Sequence, residues 1–328
     1  MFERFHEALD VDPRPGGYER MRNALIKKTY APRRRAAFHA RWTKMGFRLA
    51  AVIALIAVAV TAGAVVFATH RVAQQDVPAR LDPQAVAYQT TVGSDGTAMI
   101  QSESNHCGTI DDAGCPAALG TVKAALQKWL GHLEAYATPP SGFAIIDLEM
   151  RTHLTAAMSD IDEAVLAFQA KKSAAMVSAI DAAAQEANWL GSTSVAVAHA
   201  RPVTAASYVA SVRGSKTLLD SCTFCRQLVS QSAASCAGNP YPSCDLEVVT
   251  SKQTMATVQD GIVATLAPDS EKAEDAQLQN DLARAENALI ALRKALRTGD
   301  LPGWDLQRAA FGAALVAVNR DYAAILGS

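Results

Sequence analysis

The chain has 328 residues, a formal net charge of −1, 50% hydrophobic residues and only 6% aromatic ones. That length allows one or two domains with real cores, and the near-zero balance excludes a whole-protein nucleic-acid binder. The high apolar fraction with few Gly and Pro excludes wholesale disorder. Alanine makes up about one residue in five, well above ordinary usage, which with so few aromatics points to closely packed helices.

Residues 1–47 hold two short helical stretches, MFERFHEALD and YERMRNALIKK, broken by DPRPGG. Proline and paired glycines stop a continuous helix, and the segment is too small for a core of its own. It reads as a cytoplasmic basic tail.

Residues 48–69 follow as a transmembrane signal-anchor. The stretch LAAVIALIAVAVTAGAVVFAT, from Leu49 to Thr69, carries no charge. About 21 residues at roughly 1.5 Å rise give about 31 Å of helix, which matches a hydrocarbon core of about 30 Å. Lys27, Lys28, Arg33, Arg34, Arg35, Arg41, Lys44 and Arg48 precede it, with no acidic residue after Glu19. A basic flank holds its end in the cytoplasm, so the N-terminus is expected inside and the C-terminal part outside the cell membrane. A cleaved signal peptide would have a shorter leader and an apolar core of about 7–15 residues. The same basic cluster is expected to meet anionic lipid headgroups, at about 1 kcal/mol per residue near the surface.

Residues 70–115 read as a stalk carrying a small hairpin and a cysteine loop. In VAYQTTVGSDGTAMIQS, β-branched residues flank Gly-Ser-Asp-Gly, a turn signal. From Pro116 to the end, helical periodicity takes over. Leu119, Val122, Leu126, Trp129, Leu133 and Tyr136 step by three and four, as do Leu154, Met158, Ile161, Val165 and Phe168. Met176 to Leu190, Leu278 to Leu296 and Phe311 to Ile325 repeat the pattern, and residues 204–234 and 246–267 carry weaker stripes. One-sided stripes pack at shallow crossing angles. The fold class expected is all-α: a single transmembrane helix, then an extracytoplasmic antiparallel bundle of about seven helices with coiled-coil-like seams. The helix pair ending NWLGS (188–192) resembles the pair ending AILGS (324–328), and KWLGH (128–132) echoes the first, although alanine-rich helices resemble one another by composition alone.

All six cysteines lie beyond the apolar segment: Cys107, Cys115, Cys222, Cys225, Cys236 and Cys244. An even number on an exported side reads as three disulfides, with fifteen pairings open. The expected arrangement staples Cys222 and Cys225, one helical turn apart, across a corner to Cys236 and Cys244. Cys107 and Cys115 would close a small loop, and each bridge would contribute about 2–4 kcal/mol. Zinc is a rival for C-x2-C followed by two more cysteines, and a redox C-x2-C is another.

No catalytic constellation emerges. Glu149 and His153, four apart, read as a solvated pair, since a di-iron bundle needs Glu-x-x-His on two helices. His106, His132 and His199 lack neighbours at ligand spacing. The run from Ser159 to Glu163 reads as the wet face of a helix, Asp111 and Asp112 as a polar loop, and Trp129, Trp189 and Trp304 as core residues. No metalloprotease, nucleophile-elbow, phosphate-loop, haem or EF-hand motif is present. No cofactor is expected. The reading is a non-enzymatic, single-pass anchored binding or sensor module of the bacterial envelope. Its expected partners are a protein or small ligand outside the cell, and a homodimer through the helices. The alternatives are a regulator whose tail holds a transcription factor in the manner of anti-sigma factors, or an envelope enzyme with an unrecognised site.

Overall fold

The computed structural model describes residues 81–102, 107, 110–231 and 243–327. The expected tail, the apolar span, the basic cluster from Lys27 to Arg48, His106 and Cys236 lie outside the described residues. Among those described, nine helices run in order: α1 (Pro83–Ser102), α2 (Cys115–Glu134), α3 (Ala144–Gln169), α4 (Ser173–Ala198), α5 (Ala205–Ser221), α6 (Thr223–Ser230), α7 (Ser243–Val263), α8 (Lys272–Thr298) and α9 (Leu301–Leu326). The domain is all-α apart from a two-residue parallel ladder. In it β1 (Arg201–Pro202) pairs with β2 (Thr265–Leu266), joining the segment after α4 to the segment after α7.

Local chemistry sets several helix ends. The Thr204 hydroxyl accepts from the Ser207 N–H at 3.2 Å to start α5. Asp300 accepts from the Gly303 N–H at 2.9 Å to start α9, with Pro302 in the first turn, where its missing N–H costs nothing. Gly299 closes α8 at φ 70°, the left-handed position that favours glycine.

The hairpin expected between residues 70 and 106 is not formed, because Pro83–Ser102 is a continuous helix. Gly93 and Gly96, read as turn residues, are packing residues instead. A Cβ on Gly96 would stand 2.1 Å from Ser194 Oγ, and one on Gly93 would stand 2.9 Å from Ala198 Cβ. The glycines let α1 lie directly on α4. The helix expected over 204–234 breaks at Cys222, the shared boundary of α5 and α6.

The buried residues fall into two cores. Tyr88, Trp129, Met150 and Leu154 belong to one, built on α1 to α4. Tyr208, Met255, Leu282 and Phe311 belong to the other, built on α5 to α9. The two halves repeat one plan. Leu119, Leu126, Trp129 and Leu133 are buried on α2, and Val248, Met255, Val258 and Ile262, each 129 residues later, are buried on α7. Met150, Leu154, Ala157, Ile161 and Ala164 on α3 match Leu278, Leu282, Ala285, Leu289 and Leu292 on α8, each 128 residues later, and all are buried. Helices α4 and α9 start 128 residues apart, at Ser173 and Leu301. The Tyr88 hydroxyl donates to Asp147 at 2.9 Å, and the Tyr208 hydroxyl to Asp275 at 2.8 Å, in each case from the first helix of a half to the fourth residue of its third long helix. This register differs from the NWLGS–AILGS pairing, because Trp189 corresponds to Ala317.

Cys107 bonds Cys115 in front of α2. Cys222 bonds Cys225 rather than crossing to another helix, so the expected corner staple is not the arrangement present. The physical reason is the break at Cys222. With α5 ended there, the two sulfurs face each other across the first turn of α6 instead of pointing together toward a neighbour. Cys244 is disulfide-bonded as well.

One described helix, Leu301–Leu326, is long and apolar enough to cross a membrane by length and composition. Its Trp304, Phe311, Val318 and Tyr322 side chains are packed in the second core.

Candidate functional site

The two halves meet where α7, and the last turns of α8, lie on the α3–α4 face. Helices α3 and α4 each present an apolar stripe to the first core and a second, polar stripe to this seam. On α3 the polar stripe is Glu149, His153 and Asp160, and on α4 it is Glu186 and Thr193. Helix α7 answers with Lys252, Gln259 and Asp260.

Glu186 is the hub. Its Oε1 accepts from Lys252 Nζ at 2.5 Å, and its Oε2 accepts from His153 Nδ1 at 2.6 Å. Glu186 is 2% exposed, His153 1% and Lys252 5%, so the triad sits out of water. The Trp189 ring stacks on the His153 ring at 3.6 Å between centroids and 9° between planes, fixing the imidazole plane. Gln259 donates its amide to Glu149 Oε2. Thr193 donates its hydroxyl to Asp260 at 2.8 Å. At the edge, Arg297 reaches Asp160 at 2.7 Å and Glu163 at 2.6 Å, and Arg293 donates to the Asp181 carbonyl at 3.1 Å.

The environment separates the protonation states. Burial pushes Glu186 up, but the Lys252 charge and the His153 contact together outweigh it and hold the carboxylate at about 2. Burial pushes Glu149 up to about 8 and Asp260 up to about 7, against the hydrogen bonds they accept. Burial, reinforced by the neighbouring carboxyls, raises Glu286 well above the usual carboxylate range, although Lys252 opposes it. Burial lowers His153, against its bond to Glu186. Near neutrality the seam therefore keeps one ion pair, Glu186 with Lys252, among carboxyls that hold their protons. One Glu149 oxygen, both Glu286 oxygens and the Ser251 hydroxyl are buried and meet no hydrogen-bond partner among the described residues.

Glu149 and His153, expected as a solvated pair, are thus among the most buried groups of the domain. The expected wet run on α3 is only partly wet, since Asp160 and Glu163 hold Arg297. Trp129, Trp189 and Trp304 are buried, Trp189 also serving the seam. His132 pairs with Asp95 of α1 at 2.8 Å, His199 with the Val195 carbonyl at 2.8 Å, and Asp112 caps Gly114 at 3.0 Å. Lys252, Gln259 and Glu286 had no sequence signal of their own. The available clue was charge placed on the apolar side of a weak stripe.

The seam can hold or release protons and can keep two half-bundles in register. Among the described residues no group of three or more His, Cys, Asp or Glu is placed to hold a metal ion. No family model, curated protein or solved structure matches the chain.

Proposed function

We propose that this chain is a single-pass, membrane-anchored module of the bacterial envelope. Leu49–Thr69 is its span, residues 1–47 lie inside, and the helical domain outside binds a partner or ligand rather than turning over a substrate. The observation that carries the reading is the seam. Its titratable groups are sealed between two half-bundles, where they are suited to setting how the halves are held and not to meeting a substrate. A polar interface between two cores gives up less apolar burial on separation than a cut through either core would. A ligand that favours one arrangement of the halves would therefore shift their equilibrium by its differential affinity. The disulfides and the apolar segment support an oxidising, membrane-proximal address.

The test is protease added to intact cells, with and without lysis. Loss of the C-terminal domain from intact cells, with residues 1–47 spared until lysis, is the expected result. Protection of the C-terminal domain in intact cells together with recovery in the soluble fraction would overturn the proposal. Crosslinking from the cell surface then identifies what the exterior domain touches.

A further inference from the structure

The repeated plan makes the seam between the halves an asymmetric contact. The first half presents its α3–α4 face, and the second half covers that face with α7. By the register of the cores, α8–α9 is the counterpart of α3–α4, and α2 is the counterpart of α7. Both counterparts are uncovered. Glu186 and Trp189 on α4 are 2% and 3% exposed beneath α7, whereas Ala310 and Ala313 on the matching face of α9 are exposed. Between α8 and α9 runs a groove of about 490 Å³ lined by Asp281, Arg284, Gln307, Ala310, Ala313 and Ala317. Asp281 occupies the counterpart position of His153, and Ala317 that of Trp189.

Helix α2 has the matching knob. The face that α7 turns to the first half, Lys252, Ala256 and Asp260, corresponds to Lys123, Gln127 and Gly131 on α2, each 129 residues earlier. Gln127 and Gly131 are exposed, and a Cβ built on Gly131 would meet nothing within 4 Å. Lys123 stands where Lys252 stands, and carboxylate Asp281 supplies at the groove floor the charge that Glu186 supplies in the seam.

We propose that the α8–α9 groove takes helix α2 of a second copy of this chain, repeating between molecules the contact that α7 makes on α3–α4 within one. The contact is head-to-tail, with different patches on the two copies. It therefore propagates into rings or rows instead of closing as a two-fold dimer. This inference rests on the register of the two halves and not on the membrane placement.

The test uses two differently tagged full-length chains in mild detergent, one carrying Gln127→Cys and the other Ala317→Cys, treated with a short thiol-to-thiol crosslinker. These positions correspond to Ala256 and Trp189 at the middle of the seam. The mixture is expected to give a crosslinked species carrying both tags, and either variant alone none. Adding Ala310→Arg to the Ala317→Cys chain should reduce that species at least tenfold without moving the thermal unfolding midpoint, because Ala310 is exposed. Absence of the mixed species, or equal crosslinking of either variant with itself, would overturn the proposal.

Discussion

Lys252 on α7 and Glu186 on α4 form a 2.5 Å ion pair with side chains 5% and 3% exposed, and this pair bridges the two half-bundles of the domain. The halves have separate cores, so the pair acts on their docking more than on the folding of either. Breaking a buried pair by removing one partner costs about 3–5 kcal/mol, because the other charge is left uncompensated. Lys252→Met is therefore expected to lower stability by about that amount. The double variant Lys252→Met with Glu186→Gln should recover much of the loss, and denaturant unfolding of the three proteins measures both quantities.

Stability is expected to peak on the acid side of neutrality. Glu149 rises from an ordinary 4.5 to about 8, and Asp260 from 3.8 to about 7. A carboxyl raised in the folded state gives stability that is complete below its unfolded value and is lost as pH rises through its folded value. Both groups thus weaken the domain progressively between about pH 4.5 and 8. Glu186, held at about 2, acts oppositely, since its contribution is present above 4.5 and is lost as pH falls toward 2. Lowered His153 likewise contributes above its ordinary 6.5 and loses that contribution as pH falls below it. Melting temperatures across pH 4 to 9 should show a maximum at about pH 5–6.5, and Glu149→Gln should flatten the alkaline limb. An unchanged limb in that variant would remove Glu149 from the explanation.

The paired tyrosines test the repeated plan. Tyr88→Phe and Tyr208→Phe each leave a buried carboxylate short of a donor, at a cost of about 1–3 kcal/mol. Arg151 still reaches Asp147 at 2.7 Å, while Asp275 keeps only the uncharged Gln279 amide. The second substitution should therefore cost more. Because the two pairs lie in different cores, the double variant should sum to within about 0.5 kcal/mol.

Leu289→Asp places a charge where Leu289 is fully buried in the second core. With no partner there, the domain should lose its protease resistance.

The disulfide pattern is readable by peptide mapping without reduction. Trypsin cuts after Lys216 and Arg226, so residues 217–226 carry both Cys222 and Cys225. With the pair bonded to each other, that peptide should run alone, lighter by two hydrogens. A species joining it to the peptide of residues 227–252 would restore the corner staple.

The stripes of leucine, tryptophan and alanine every three or four residues determined by themselves that α2, α3, α4, α8 and α9 are helices and which side of each is dry. Spacing along one segment is a local property, and side-chain direction follows from it. Gly299 and Pro302 likewise marked their own turn. The glycines of α1 misled because glycine serves a tight turn and a close helix crossing equally well, and only the neighbouring α4 decides between the two uses. Glu149, His153 and Glu186 sat on faces that a single helix would leave in water. What buried them was α7, more than sixty residues further along the chain. The plan of two halves was hidden for the same reason. Its register lives in which positions are buried, Leu126 with Met255 and Leu154 with Leu282, and burial is decided only when helices distant in sequence come to lie side by side.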